Sequence, residues 1–196
     1  MGSVNKLRAF LAIELDAPSM DYLGRISSRL KVSQADVSWV NTRNAHLTLK
    51  FLGDISPETL LSVNRILSLV FGEQKPFKLR LEGVGVFPGL ERPRVVWVGV
   101  RDESGMLGRL FERSESAFES IGFPRENRPF NPHLTLGRVR SSSGKMALVK
   151  AVMDSSRQIG PTLEVNHAVL FRSDLKPTGA VYTALQRFDF DSENRK

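Results

Sequence analysis

Residues 44–53 read NAHLTLKFLG, and residues 131–140 read NPHLTLGRVR. The pattern Asn-x-His-Leu-Thr-Leu therefore occurs twice and takes two of the three histidines in a chain of 196 residues. Both copies are short, apolar at alternate positions and bounded by turn-forming residues, which predicts a strand for each. Side chains on a strand alternate between its faces. His46 and Thr48 then point one way and Leu47, Leu49 and Phe51 the other, with Lys50 on the side of His46. His133 and Thr135 are likewise set against Leu134 and Leu136. The leucines anchor each strand under helices, and each His–Thr pair is presented on the opposite face.

Outward from these two stretches, strands are expected at 7–15, 45–52, 77–86, 94–101, 132–139, 162–171 and 181–190. Four amphipathic helices lie between them. The first spans about 19–31, with Leu23, Ile26 and Leu30 on one face. The second starts at Ser56 as N-cap with Pro57 in the first helical position, and its stripe is Leu60, Val63, Leu67 and Val70. The third spans about 104–121, with Leu107, Leu110, Phe111, Phe118 and Ile121. The fourth spans about 144–156, with a stripe of Met146, Val149, Val152 and Met153 read as core. The elements fall into two similar sets, each with the repeated phrase at the same place. This implies an internal duplication, with approximate halves 1–90 and 91–196 forming one domain over 1–196 around a pseudo-twofold axis. Alternating strands and helices also fit a doubly wound parallel sheet. However, no Gly-rich turn follows the first strand, and GVGVFPG at 83–89 has the wrong spacing for a dinucleotide loop.

Hydrophobic residues make up 41% and charged residues 25% of the chain, as in an ordinary globular protein. The absence of cysteine removes disulfides, thiolate zinc sites and a cysteine nucleophile, and it fits a reducing compartment. The first apolar run is cut by Glu14 and Asp16, too early for a signal peptide or a membrane span. The cytoplasm is the expected location. A net charge of +7 suits a polyanion such as nucleic acid, and it equally suits a solvated basic surface.

Two imidazoles and two hydroxyls converging on one cleft suit a phosphodiester. In-line hydrolysis needs a base for water and an acid for the leaving oxygen, and histidine can serve as either near neutral pH. Threonine hydroxyls can donate to the non-bridging oxygens. A metal site is disfavoured, because neither phrase offers a third ligand at chelating spacing. No metal and no cofactor are expected. His167, in TLEVNHAVLF, lacks the surrounding phrase and is read as structural.

With these residues in view, the sequence resembles the two-histidine (2H) phosphoesterase superfamily. More narrowly, it is similar to the RNA 2′,3′-cyclic phosphodiesterases, historically called 2′-5′ RNA ligases. The resemblance runs from LRAFLAIELDAP through both motifs and PRVVWVGV to LFRSDLKPTGAVYTALQRF. It implies an α+β fold of two lobes, each an antiparallel sheet with helices outside and the active-site cleft between them. It implies hydrolysis of a terminal 2′,3′-cyclic phosphate on RNA to a 2′-phosphate, with His46 as proton donor and His133 as proton acceptor. Thr48, Thr135 and Arg138 would bind the phosphate. Expected partners are RNA ends or cyclic nucleotides, with no membrane and no obligate protein partner. No Lys-x-Asp-Gly motif or phosphate loop supports ATP-driven joining, so 2′-5′ joining would be transesterification run in reverse. Action on small cyclic nucleotides or 2′-5′ oligonucleotides, and non-catalytic binding of RNA ends, stay open as alternatives.

Overall fold

The computed structural model describes residues 6–176 and 179–191. In chain order the elements are β1 (Leu7–Glu14), α1 (Ala17–Lys31), β2 (Val37–Trp39), a 3₁₀ turn (Thr42–Asn44), β3 (His46–Ile55), α2 (Pro57–Gly72), β4 (Phe77–Phe87), β5 (Val95–Arg101), α3 (Met106–Ser120), β6 (His133–Val139), α4 (Lys145–Ser155), β7 (Ile159–Val165), β8 (His167–Lys176) and β9 (Gly179–Asp189). The strands form two sheets, ordered β3-β1-β8-β9 and β2-β6-β5-β4-β7, and every pairing is antiparallel. The doubly wound parallel alternative is thereby excluded.

Local chemistry sets the helix starts. Asp16 accepts the Ser19 N–H at 2.9 Å and Ser56 accepts the Thr59 N–H at 3.2 Å, so both side chains satisfy otherwise orphaned donors. The first helix consequently begins two residues earlier than its apolar spacing suggests. On α4 the buried residues are Leu148, Val152 and Ser155. Of the expected stripe Val152 is core, but Met146 and Met153 are 86% and 57% exposed. The i, i+4, i+7 row through Leu148 faces the sheet, and both methionines fall outside it.

The sheets do not follow sequence order. β4 pairs with β5 in the sheet of the second motif, while β8 and β9 return to the sheet of the first. The orders β3-β1-β8-β9 and β6-β5-β4-β7 correspond strand for strand, with β4 and β8 exchanged. The strand expected at 162–171 is in fact two, broken at Asn166 where the chain leaves one sheet for the other. Helices are exchanged too: α1 packs on β7 and α4 on β4, whereas α2 packs on β9 and α3 on α2. One apolar core runs between the sheets and helices. A smaller cluster of Phe10, Ala12, Val169 and Phe171 lies apart from it, with Tyr182 against it.

Candidate active site

Both motif strands carry a bulge at the same motif position. On β3, Thr48 pairs with Ala12 and Lys50 with Leu11, leaving Leu49 unpaired. On β6, Thr135 pairs with Trp97 and Gly137 with Val96, leaving Leu136 unpaired. Two consecutive residues therefore turn inward, Leu49 with Lys50 and Leu136 with Gly137, and all four are buried. Beyond the bulge the alternation is reversed. Phe51 comes out onto the face of His46 and Thr48 and is 64% exposed, which overturns its expected place on the face of Leu47 and Leu49. Lys50 moves the opposite way, into the interior. Arg138 is exposed and shares the face of His133 and Thr135, a position that strict alternation would deny it.

The two strands also meet. β3 is an edge strand of its sheet and lies against β6 of the other. The carbonyl of Leu136 accepts the Val40 N–H at 2.8 Å, continuing the β2–β6 pairing into the segment leading to His46. The faces of the sheets away from the helices therefore join along the strands that carry His46, Thr48, His133 and Thr135.

Each motif histidine is held in the same way. His46 Nδ1 lies 2.9 Å from the Asn44 carbonyl oxygen, and His133 Nδ1 lies 2.7 Å from that of Asn131. A carbonyl oxygen can only accept, so Nδ1 carries a proton in both rings and Nε2 is left for proton transfer. The asparagines that supply these carbonyls are themselves tied. Asn44 Nδ2 donates to Ala180 O at 3.3 Å, and Asn131 Nδ2 donates to Pro129 O at 3.2 Å. Sequence reasoning noted the repeated asparagine and gave it no task. Its identical offset in the two copies was the available signal.

The surroundings differ. The His46 ring packs on Phe10 at 4.6 Å between centroids and meets Tyr182 edge-on at 5.1 Å, with Phe171 at 6.3 Å. Burial pushes His46 below the ordinary histidine range, and its bond to the Asn44 carbonyl works against that shift. His133 meets Phe87 edge-on at 5.0 Å, and Phe87 lies 5.1 Å from Trp97. Trp97 needs Gly85, where a Cβ would sit 2.3 Å from its ring, whereas at Gly99 a Cβ would meet the Glu82 carbonyl oxygen at 2.5 Å. Among the described residues the Thr48 and Thr135 hydroxyls have no hydrogen-bond partner and Arg138 has no ion pair, so all three are free to receive an anion. His167 is occupied at both ring nitrogens, by Glu14 at 2.9 Å and by Asn166 Oδ1 at 2.6 Å, which suits a structural group. Among the described residues no group of three or more His, Asp or Glu side chains gathers as a metal site would.

A family model described as LigT like Phosphoesterase matches the chain twice, over residues 13–97 and 98–182. The chain is 34% identical over 183 residues to an RNA 2′,3′-cyclic phosphodiesterase of Methanothermobacter thermautotrophicus, covering 93% of this chain and 98% of that one. It is 35% identical to an RNA 2′,3′-cyclic phosphodiesterase of Archaeoglobus fulgidus, covering 93% and 100%. Among solved structures, TT0787 of Thermus thermophilus superposes with a TM-score of 0.80 at 27% identity, over 96% of this chain and all of that one. With matched segments spanning most of its length and the fold in common, the chain belongs to the LigT-like phosphoesterase family.

Proposed function

We infer that the protein hydrolyses terminal 2′,3′-cyclic phosphates on RNA, leaving a 2′-phosphate. One observation carries this reading: two adjoining strands each present an imidazole, locked through Nδ1 on a backbone carbonyl, beside an unengaged threonine hydroxyl. His133 takes a proton from water through Nε2 as the water oxygen bonds to phosphorus. The bond from phosphorus to the ribose 3′-oxygen breaks on the far side, and Nε2 of His46 delivers a proton to that oxygen. Thr48, Thr135 and Arg138 donate to the non-bridging oxygens, where charge is redistributed. A buried His46 resists protonation in the free protein, so the phosphate anion beside it is what favours the imidazolium a donor must be. With a ribose 5′-hydroxyl attacking in place of water, the same groups would join ends through a 2′-5′ linkage, the reverse of cleavage by transesterification, without ATP.

The proposed setting is one bilobal domain made by duplication, acting in the cytoplasm on RNA ends. The doubled family match and the matching strand orders support the duplication. No helix among the described residues is long and apolar enough to cross a membrane. The test is turnover of 2′,3′-cyclic CMP and of a cyclic-phosphate-ended RNA oligomer in EDTA, with phosphorus NMR of the products. Turnover to the 2′-phosphate is expected on both. Activity that vanishes in EDTA and returns with zinc or manganese would sink the two-histidine mechanism.

A further inference from the structure

The loop from Gly122 to Pro132 ends on the carbonyl that orients His133. It is strapped to α3 along its length. Phe123 meets Phe118 edge-on with centroids 5.7 Å apart, and Arg125 pairs with Glu112 and Glu119. Glu115 accepts the Glu126 N–H at 2.7 Å, and Phe130 stacks on Phe111 at 4.1 Å with planes 7° from parallel. These ties all lie within one stretch of chain. Lys50 is different, because it comes from the strand of His46. Turned inward by the bulge at Leu49, its Nζ donates to the Pro124 carbonyl at 2.8 Å and pairs with the other oxygen of Glu115 at 2.7 Å. The two side chains are only 8% and 3% exposed.

We propose that Lys50 and Glu115 are positioning residues that lock the loop orienting His133 to the strand carrying His46, and so set the two imidazoles relative to each other. The geometry suits the task. A buried cation with a carboxylate and a carbonyl as acceptors cannot slide, since any lost contact leaves charge without water or partner. An apolar contact at the same place could slip by an ångström at little cost. Glu115 completes the lock, one oxygen holding the loop backbone at Glu126 and the other holding β3 through Lys50. The inference rests on the reading of His46 and His133 as an acid–base pair.

Lys50→Met keeps the stem and removes the charge. The measurements are kcat and KM on 2′,3′-cyclic CMP, together with the two imidazole Nδ1–H resonances of protein labelled with ¹⁵N-histidine. Acid and base displaced by a fraction of an ångström should lower kcat by about tenfold to a hundredfold with KM little changed. The Nδ1–H signal of His133, bonded to Asn131, should weaken through exchange while that of His46 persists. Glu115→Gln keeps an acceptor for Glu126 and should show the same pattern in weaker form; it decides the matter if Lys50→Met does not fold. An unchanged His133 signal would overturn the lock, as would equal weakening of both signals, which is what general loosening produces. A weakened His133 signal with unchanged turnover would instead overturn the catalytic reading of His133.

Discussion

β3 and β6 run the same course: histidine, leucine, threonine, a bulged leucine, a buried residue and then one that faces outward. The neighbours of those positions diverge. Beside Thr48 across the sheet is Ala12, and beside Thr135 is Trp97. Beside His46 is Glu14, and beside His133 is Gly99. The outward residue past the bulge is Phe51 on one strand and Arg138 on the other. Both rings meet aromatics, Phe10, Phe171 and Tyr182 around His46 and Phe87 with Trp97 at His133, but only the wall at His133 carries a guanidinium, which has no ion pair among the described residues. Matching backbone geometry holds two imidazoles alike, and unlike surroundings make them unequal. An acid–base pair needs its two rings in opposite protonation states; burial favours the neutral ring at His46, so the proposed donor role there rests on the bound phosphate.

The hardest test of this pairing is removal of the rings. His46→Ala and His133→Ala should each lower kcat by about 10²–10⁴-fold, and the double variant should be little worse than the poorer single, since the groups act as a unit. His167→Ala should keep more than a tenth of wild-type activity, because both of its ring nitrogens are already committed. Loss of activity in folded His167→Ala comparable to that of the motif variants would break the comparison at its root.

Next come the two residues past the bulges. Arg138→Ala should lower kcat/KM by about ten- to a hundredfold, the value of a charge-assisted contact to an anion. Phe51→Ala, at the matching position without a charge, should change it far less. Equal effects would show that the phosphate is held without preference for the basic wall. A smaller effect is expected from Asn44→Ala and Asn131→Ala. The orienting carbonyl survives in both, and only the side-chain tie to Ala180 or Pro129 is lost, so a drop of up to about tenfold in kcat should follow. No change in either variant would mean that the backbone holds those carbonyls unaided.

Much of this was legible from alternation and repetition. The two phrases gave the strands, and period two placed the histidines and threonines on one face. The bulges were not legible, because nothing in LTLKF distinguishes a strand with an extra residue from one without. That single unseen feature misplaced Lys50 and Phe51 and hid why Arg138 shares the face of His133 and Thr135. Strand exchange was equally invisible, since apolar alternation marks a strand without naming its partner. TLEVNHAVLF read as one strand for that reason, although the chain changes sheets at Asn166. On α4 the methionines misled because hydrophobicity alone did not fix the phase; the fully buried Leu148 did.

The smallest expected effect is the most specific to the difference between the walls. His46 is held below its ordinary range by burial, and Tyr182 closes one side of its ring edge-on at 5.1 Å. A donor must be protonated in the free protein for productive encounter, so the basic limb of kcat/KM should lie below the usual histidine value of about 6.5. In the complex the phosphate anion favours the imidazolium, so the basic limb of kcat should lie higher than that of kcat/KM. Tyr182→Ala admits water and should move the kcat/KM limb upward by a fraction of a pH unit. Stability follows the same sign. A histidine whose folded pKa is depressed contributes fully above its unfolded value near 6.5, and that contribution is lost as pH falls through the folded value. Tyr182→Ala should therefore flatten the acid-side fall in Tm as well as shift the rate profile. If the acid limb moves upward in Tyr182→Ala while the basic limb stays still, His46 is the base, and the donor and acceptor roles of the two strands must be exchanged.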